Sequence, residues 1–226
     1  MWASSDGNQG VVRTLLRRED INPDKMDVNG QTPLCLAAYI GQDVVQILLE
    51  RDDVNPDQPN RFRKTPLSWA AYYGHEGVMG ILLGRDDVNP DKPDMYGITP
   101  LSQAARNGQE DVAIILLAHD DVNHDNSSKG GDTPLWWAAC SGHEGVVKIM
   151  LEWDRIDPDK PDMNNQILLF LAASNGHKDV VKVLLGRDDI NPNKPNTYDW
   201  TPLSFSASKG GRGNGKNAAQ AGRCQS

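Results

Sequence analysis

The tripeptide Thr-Pro-Leu begins at Thr32, Thr65, Thr99, Thr133 and Thr201, at spacings of 33, 34, 34 and 68 residues. A sixth start stands in register as Ile167-Leu168-Leu169, and Ala172-Ala173 follows it. The other starts are followed in step by Ala37-Ala38, Ala70-Ala71, Ala104-Ala105 and Ala138-Ala139. A period this regular confines the chain to stacked copies of one supersecondary unit, each touching its neighbours.

Each unit reads as a helix pair. Thr caps the first helix, and Pro occupies its first turn, where no N–H is needed. Leu and the two Ala fall on one face at helical spacing, and their small side chains permit close helix contact. Gly41, Gly74, Gly108, Gly142 and Gly176 stand where a left-handed residue ends that helix. The second helix opens near Glu76, Glu110 or Glu144, whose carboxylates suit the helix dipole. It continues through Val146, Ile149 and Met150, or through Val180, Val183 and Leu184. Arg51, Arg85, Arg155 and Arg187 close it, and an Asp- and Pro-rich finger leads to the next Thr.

Composition narrows the functional classes. The 226 residues carry 23 Lys and Arg against 31 Asp and Glu, a net charge of −8, which argues against nucleic acid or an anionic membrane as partner. Hydrophobic residues make up 38 %, enough for a packed array. No apolar run reaches the roughly 18 residues of a membrane helix. Residues 1–10 lack the basic and apolar regions of a secretory signal. Cys35, Cys140 and Cys224 form no CxxC and no disulfide-like framework, so the expected setting is reducing, in the cytoplasm with the nucleus as an alternative.

The Thr-Pro-Leu, Ala-Ala and Gly-His elements, the Val/Leu-rich second helix and Asp-Val-Asn resemble the ankyrin repeat. The resemblance implies an all-α ankyrin-repeat solenoid of helix-turn-helix units joined by β-turn fingers. Its boundaries are a partial repeat at 1–31, repeats at 32–64, 65–98, 99–132 and 133–166, a degenerate repeat at 167–200, and the start of a truncated one at 201–210. The Arg-Asp-Asp-Val-Asn-Pro-Asp and Gly-His-Glu-Gly-Val-Val variants look most like fungal arrays at the C-terminus of NOD-like receptors with a NACHT domain. No phosphate-binding GxxxxGK[ST] loop is present here. The family's His after Thr-Pro-Leu is replaced by Cys35, Ser68, Ser102, Trp136 and Ser204, with Phe170 at the degenerate start. Asp52 and Asp86 replace the Gly that usually follows helix two, and the finger is longer.

Residues 2–24 align without a gap to 69–91, so the chain is expected to open inside a first helix. Residues 211–226 read as a flexible tail, and reading their codons one base later permits a second helix and finger in register. A frameshift after about residue 210 is therefore expected. With both ends uncapped, the stripe at Val180, Val183 and Leu184 should lie partly bare, and the isolated chain should self-associate.

Catalytic and metal chemistry finds little support. His75, His143 and His177 occur one per repeat with no ligand set to complete a metal site, and hydrogen bonding within the inter-helix turn accounts for them. His119 and His124 read as exposed loop residues. Asp87, Asn89 and Asp91 mimic half a calcium loop without its Gly and Glu, and Asx-turns explain them more simply. Ser68, Ser102 and Ser204 sit where hydroxyls bond helix ends. The expectation is no enzyme, no metal and no cofactor.

What varies between repeats is the candidate site. In ankyrin proteins partners dock on the concave face formed by helix one and the finger tips. By position this implies Tyr39, Ile40, Tyr72, Tyr73, Arg106 and Asn107 from first helices. From the fingers it implies Arg61, Phe62, Lys64, Met95, Tyr96 and Ile98. Trp69 and Trp137 are expected to line the groove partly buried, and Trp136 to be structural. The alternative for the aromatic rings is sideways packing between repeats. The function expected is protein binding, as scaffold or ligand-sensing arm of a larger intracellular receptor. The other reading is a truncated gene remnant without selected activity.

Overall fold

The computed structural model describes residues 9–41, 43–153, 156–158, 160–162 and 166–209. Among them are twelve α-helices and no strand. They are α1 Gln9–Leu16, α2 Pro33–Ile40, α3 Val44–Leu48, α4 Pro66–Tyr73, α5 Glu76–Leu83 and α6 Pro100–Arg106, then α7 Glu110–Leu117, α8 Pro134–Ser141, α9 Glu144–Leu151, α10 Leu168–Asn175, α11 Lys178–Leu185 and α12 Pro202–Lys209. The opening repeat's first helix and the tail with its shifted frame lie outside the described residues.

The chain divides into two compact units, Met1–Ala104 with Asp111–Val122, and Ala105–Glu110 with Asn123–Ser226. In the first, α2 packs on α4, α1 on α3, and α3 on α5. In the second, α10 packs between α8 and α12 while α9 lies on α11. The paired alanines Ala37, Ala38, Ala70, Ala71, Ala138 and Ala139 are fully buried, so the first helices approach closely. Leu34, Leu67, Leu135 and Leu168 fill the space beside them, each contributing about 1.5–3 kcal/mol by leaving water.

Helices of eight residues are marginal alone, so their ends matter. Thr32, Thr65 and Thr133 cap α2, α4 and α8, their hydroxyl oxygens accepting from the N–H of Cys35, Ser68 and Trp136, each at 3.1 Å. Ser68 and Ser102 pair their hydroxyls with the capping Thr65 and Thr99, at 3.2 and 3.1 Å. Cys35, at the same place in its repeat, turns its thiol to the carbonyls of Gln58 and Lys64 in the next finger. Burial pushes that thiol up to about 11, which leaves it unreactive near neutral pH. Ile167 offers α10 no side-chain cap.

The fingers are built from side-chain oxygens that replace a sheet. Asn22, Asn55, Asn89 and Asn123 each accept from the N–H two residues on, at 2.9–3.1 Å. The Asp-x-Asn-x-Asp stretch is thus a repeated Asx-turn. At the tip, Asn60 Oδ1 accepts from Phe62 N–H at 2.9 Å and Lys64 N–H at 3.0 Å, and Asp94 Oδ1 does the same for Tyr96 and Ile98. The turn needs a left-handed residue at its third place. Gly30, Gly97 and Gly131 supply it at φ 72°, 82° and 79°, whereas Arg63 is held at 62° and Asp199 at 60°.

Three expectations are corrected. The side chains of His75, His143 and His177 do not bond within their own turn; only their backbone N–H groups do. Their Nε2 groups donate to the carbonyls of Tyr39, Arg106 and Cys140 in the preceding repeat, at 3.0, 2.9 and 2.8 Å. Their rings lie against Gly41, Gly108 and Gly142, where an added Cβ would stand 2.4–2.5 Å from Nδ1. Those glycines serve both the helix end and the neighbouring ring. Second, Val180 and Leu184 are fully buried, so of the expected stripe only Val183 is partly bare, and Leu185 on the same helix is exposed. Third, His124 is buried with its ring edge-on to Trp153 at 6.2 Å, and is no exposed loop residue.

Arg51 does more than face its own helix end. Its guanidinium donates to the carbonyls of Leu16 and Arg18 in the preceding repeat, both at 3.1 Å, and forks onto Asp53. Arg85 and Arg187 fork likewise onto Asp87 and Asp189. The hydrogen bond from Arg holds each of these carboxyls below its ordinary range.

Two outcomes follow for stability. Gly142→Ala combines a strained φ of 82° with displacement of His177, and should cost about 2 kcal/mol, read as a lowered urea midpoint. Arg63→Gly removes left-handed strain and should add about 1 kcal/mol in the same measurement. An unchanged midpoint in either variant contradicts the backbone argument.

Candidate partner-binding surface

Within the first unit, α2 and α4 carry four aromatic rings that meet. Tyr39 and Tyr73 lie edge to face at 4.7 Å, Tyr72 and Tyr73 tilt together at 4.7 Å, and Tyr39 meets Trp69 edge-on at 5.5 Å. Trp69 stacks near-parallel to Tyr73 at 6.1 Å. The geometry follows from sequence: Trp69, Tyr72 and Tyr73 sit three and four apart on α4, so their side chains share one face. The stacking of α2 on α4 brings Tyr39 against them. The rings do pack sideways between repeats, yet Tyr39 and Tyr73 remain 44 % and 39 % exposed.

Lys64 adds a cation to the cluster. Its Nζ lies 4.8 Å from the Trp69 centroid and 5.0 Å from that of Tyr72, a distance at which the ring quadrupole attracts it. Trp69 was expected to be groove-lining, and it forms the half-buried floor under this lysine. Ile40 is half-buried beside Tyr39 at the end of α2.

The fingers place Arg61, Phe62, Met95 and Tyr96 at exposed tips. The Arg61 guanidinium lies over the Phe62 ring at 4.7 Å. Ile98 departs from expectation: it is buried, its N–H donating to Asp94 Oδ1 and its carbonyl accepting from Asp94 N–H. It closes the turn from beneath and cannot touch a partner.

Arg106 and Asn107 belong to the second unit. There the Arg106 guanidinium covers the Trp137 ring at 4.7 Å, which explains why Trp137 is buried where a groove-lining position was expected. Trp136 is buried edge-on to Trp137 at 5.0 Å. Asn107 is half-buried at the end of the same helix.

Among the described residues no group of three His, Cys, Asp or Glu is placed to hold a metal, and no helix is long and apolar enough to cross a membrane. Sequence reasoning missed the apolar residues exposed at other tips, Val28 and Tyr198, because each is flanked on both sides by polar residues. Burial and the neighbouring Tyr39 phenol push the Tyr73 phenol up to about 12. The folded state then keeps a proton that the unfolded chain loses near pH 10, so stability falls as pH rises through that range. An absorbance titration should show one tyrosine ionising near pH 12, and Tyr39→Phe should bring it down; a single titration step near 10 in both proteins contradicts the cluster geometry.

A search of curated proteins finds no match to the chain. Family models agree with the repeat geometry. The model for three copies of the ankyrin repeat matches residues 1–94 and 81–162, and the model for many copies matches 169–215. These ranges take in most of the sequence, and the helix pairs they match are those that form the all-α fold. The chain belongs to the ankyrin-repeat family.

Proposed function

We propose that the chain binds a protein partner through the first-helix aromatic cluster and the finger tips beside it. Ankyrin repeats are generally non-enzymatic protein–protein interaction modules. The observation that carries the reading to this surface is the arrangement of Tyr39, Trp69, Tyr72 and Tyr73. Mutual ring contacts hold their geometry, so little side-chain entropy remains to be lost on binding. Two of the rings are nonetheless open to solvent. Pre-ordered aromatic side chains with a basic fringe have the composition of interface hot spots.

In this reading the array is the scaffold or ligand-sensing arm of a larger intracellular receptor, working in the cytoplasm or nucleus. What supports that placement is the sequence resemblance of the Arg-Asp-Asp-Val-Asn-Pro-Asp and Gly-His-Glu-Gly-Val-Val variants to fungal receptor arrays. Tyr72→Ala combined with Tyr73→Ala should weaken a captured protein partner at least tenfold, about 1.4 kcal/mol, while the far-UV circular dichroism stays that of the parent. Undiminished affinity in the folded double variant sinks this surface.

A further inference from the structure

Three finger tips of the first unit are joined along their backbones. Arg61 N–H donates to the Gly30 carbonyl, and Met95 N–H to the Phe62 carbonyl, each at 3.0 Å. The tips 28–31, 61–64 and 95–98 therefore form one row. The row contains no Asp or Glu, although the chain as a whole carries a charge of −8. It presents Val28, 96 % exposed, with Phe62, Met95 and Tyr96, and its charges are Arg61, Arg63 and Lys64.

Two features set Arg61 and Arg63 apart. The arginines at the finger bases, Arg18, Arg51, Arg85 and Arg187, are each forked onto an Asp two residues on. Arg61 and Arg63 enter no ion pair among the described residues. Arg63 also occupies the left-handed place that Gly30 and Gly97 fill in the adjoining tips, at φ 62°. A side chain kept where glycine would relieve strain implies a use for that side chain.

We propose that this row is a docking ledge for an acidic protein segment, whose carboxylates face Arg61 and Arg63 while its apolar side chains rest on Val28, Phe62, Met95 and Tyr96. Charge complementarity favours that partner: two guanidinium groups outside any ion pair, one of them resting on the Phe62 ring, can each take a carboxylate bidentately, and the same row exposes apolar side chains. Nucleic acid fits less well, since three cations on an acidic chain make a short electrostatic footprint. The inference rests on the protein-binding reading above and specifies its partner's chemistry.

The test pans the full chain against a displayed library of random peptides. Selected peptides should be rich in Asp and Glu interleaved with apolar residues, and their Gln/Asn counterparts should bind roughly tenfold more weakly. Arg63→Gly is the decisive variant, because it should raise the unfolding midpoint and yet weaken the same peptides several-fold. Arg61→Gln should weaken them without changing stability. Selected peptides lacking acidic residues, or full binding to Arg63→Gly, overturn the acidic ledge and leave the protein-binding reading standing. Tighter binding of a single-stranded DNA oligonucleotide than of any selected peptide reassigns the cations to phosphate and also overturns it. A library that yields no binder overturns the ledge. The separate loss of the tyrosine effect would then be needed to remove the broader reading.

Discussion

One side-chain oxygen at the head of each finger holds the tip in shape. Asp27, Asn60, Asp94 and Asn196 each accept two backbone N–H bonds across a five-residue turn. Without that acceptor the turn would leave two N–H donors unpaired, at a cost of about 1–3 kcal/mol where the donor is buried, as at Ile98. The turn in turn delivers the capping Thr to its helix, and the capped helix presents its Ala-Ala face for stacking. Finger, cap and helix contact are therefore steps in one chain of dependence, repeated along the sequence.

The contacts that join one repeat to the next have a common form. His75 bonds the Tyr39 carbonyl, Arg51 the Leu16 carbonyl, and Lys92 the Asp57 carbonyl and carboxylate at 2.8 and 2.9 Å. In each case a long polar side chain satisfies a backbone group that its own repeat leaves open. Turn, helix end and finger are thereby tied separately. The open faces of the first helices need carry no structural bond of their own, which leaves them to aromatic residues such as Tyr39 and Tyr73.

Much of this was legible in the sequence. Period, cap, left-handed Gly and second-helix start were readable because each is a local requirement with a short list of permitted residues. Contacts between repeats were not. Nothing local distinguishes a His that bonds its own turn from one that bonds the repeat before, and the ring lodged on Gly142 becomes visible only with both repeats in place. Ile98 was misjudged for a related reason. Its neighbours Met95 and Tyr96 are exposed, and only the hydrogen bonds of Asp94 show that the chain turns inward at the fourth tip position. The strain at Arg63 was likewise hidden, since it is defined by comparison with the torsions of Gly30 and Gly97.

The start of α10 differs in kind from those of the first helices α2, α4 and α8. Where Thr32, Thr65 and Thr133 fix a helix by a directed bond, Ile167 has none, and its helix start is held by Leu168, Leu169, Phe170 and Leu171 packed out of water. Hydrogen bonds and apolar burial respond oppositely to temperature, the latter weakening on cooling. Among these described first helices, α10 therefore has a start whose security declines in the cold while those capped by Thr keep theirs, so that chilling and heating would seek out different places to open them.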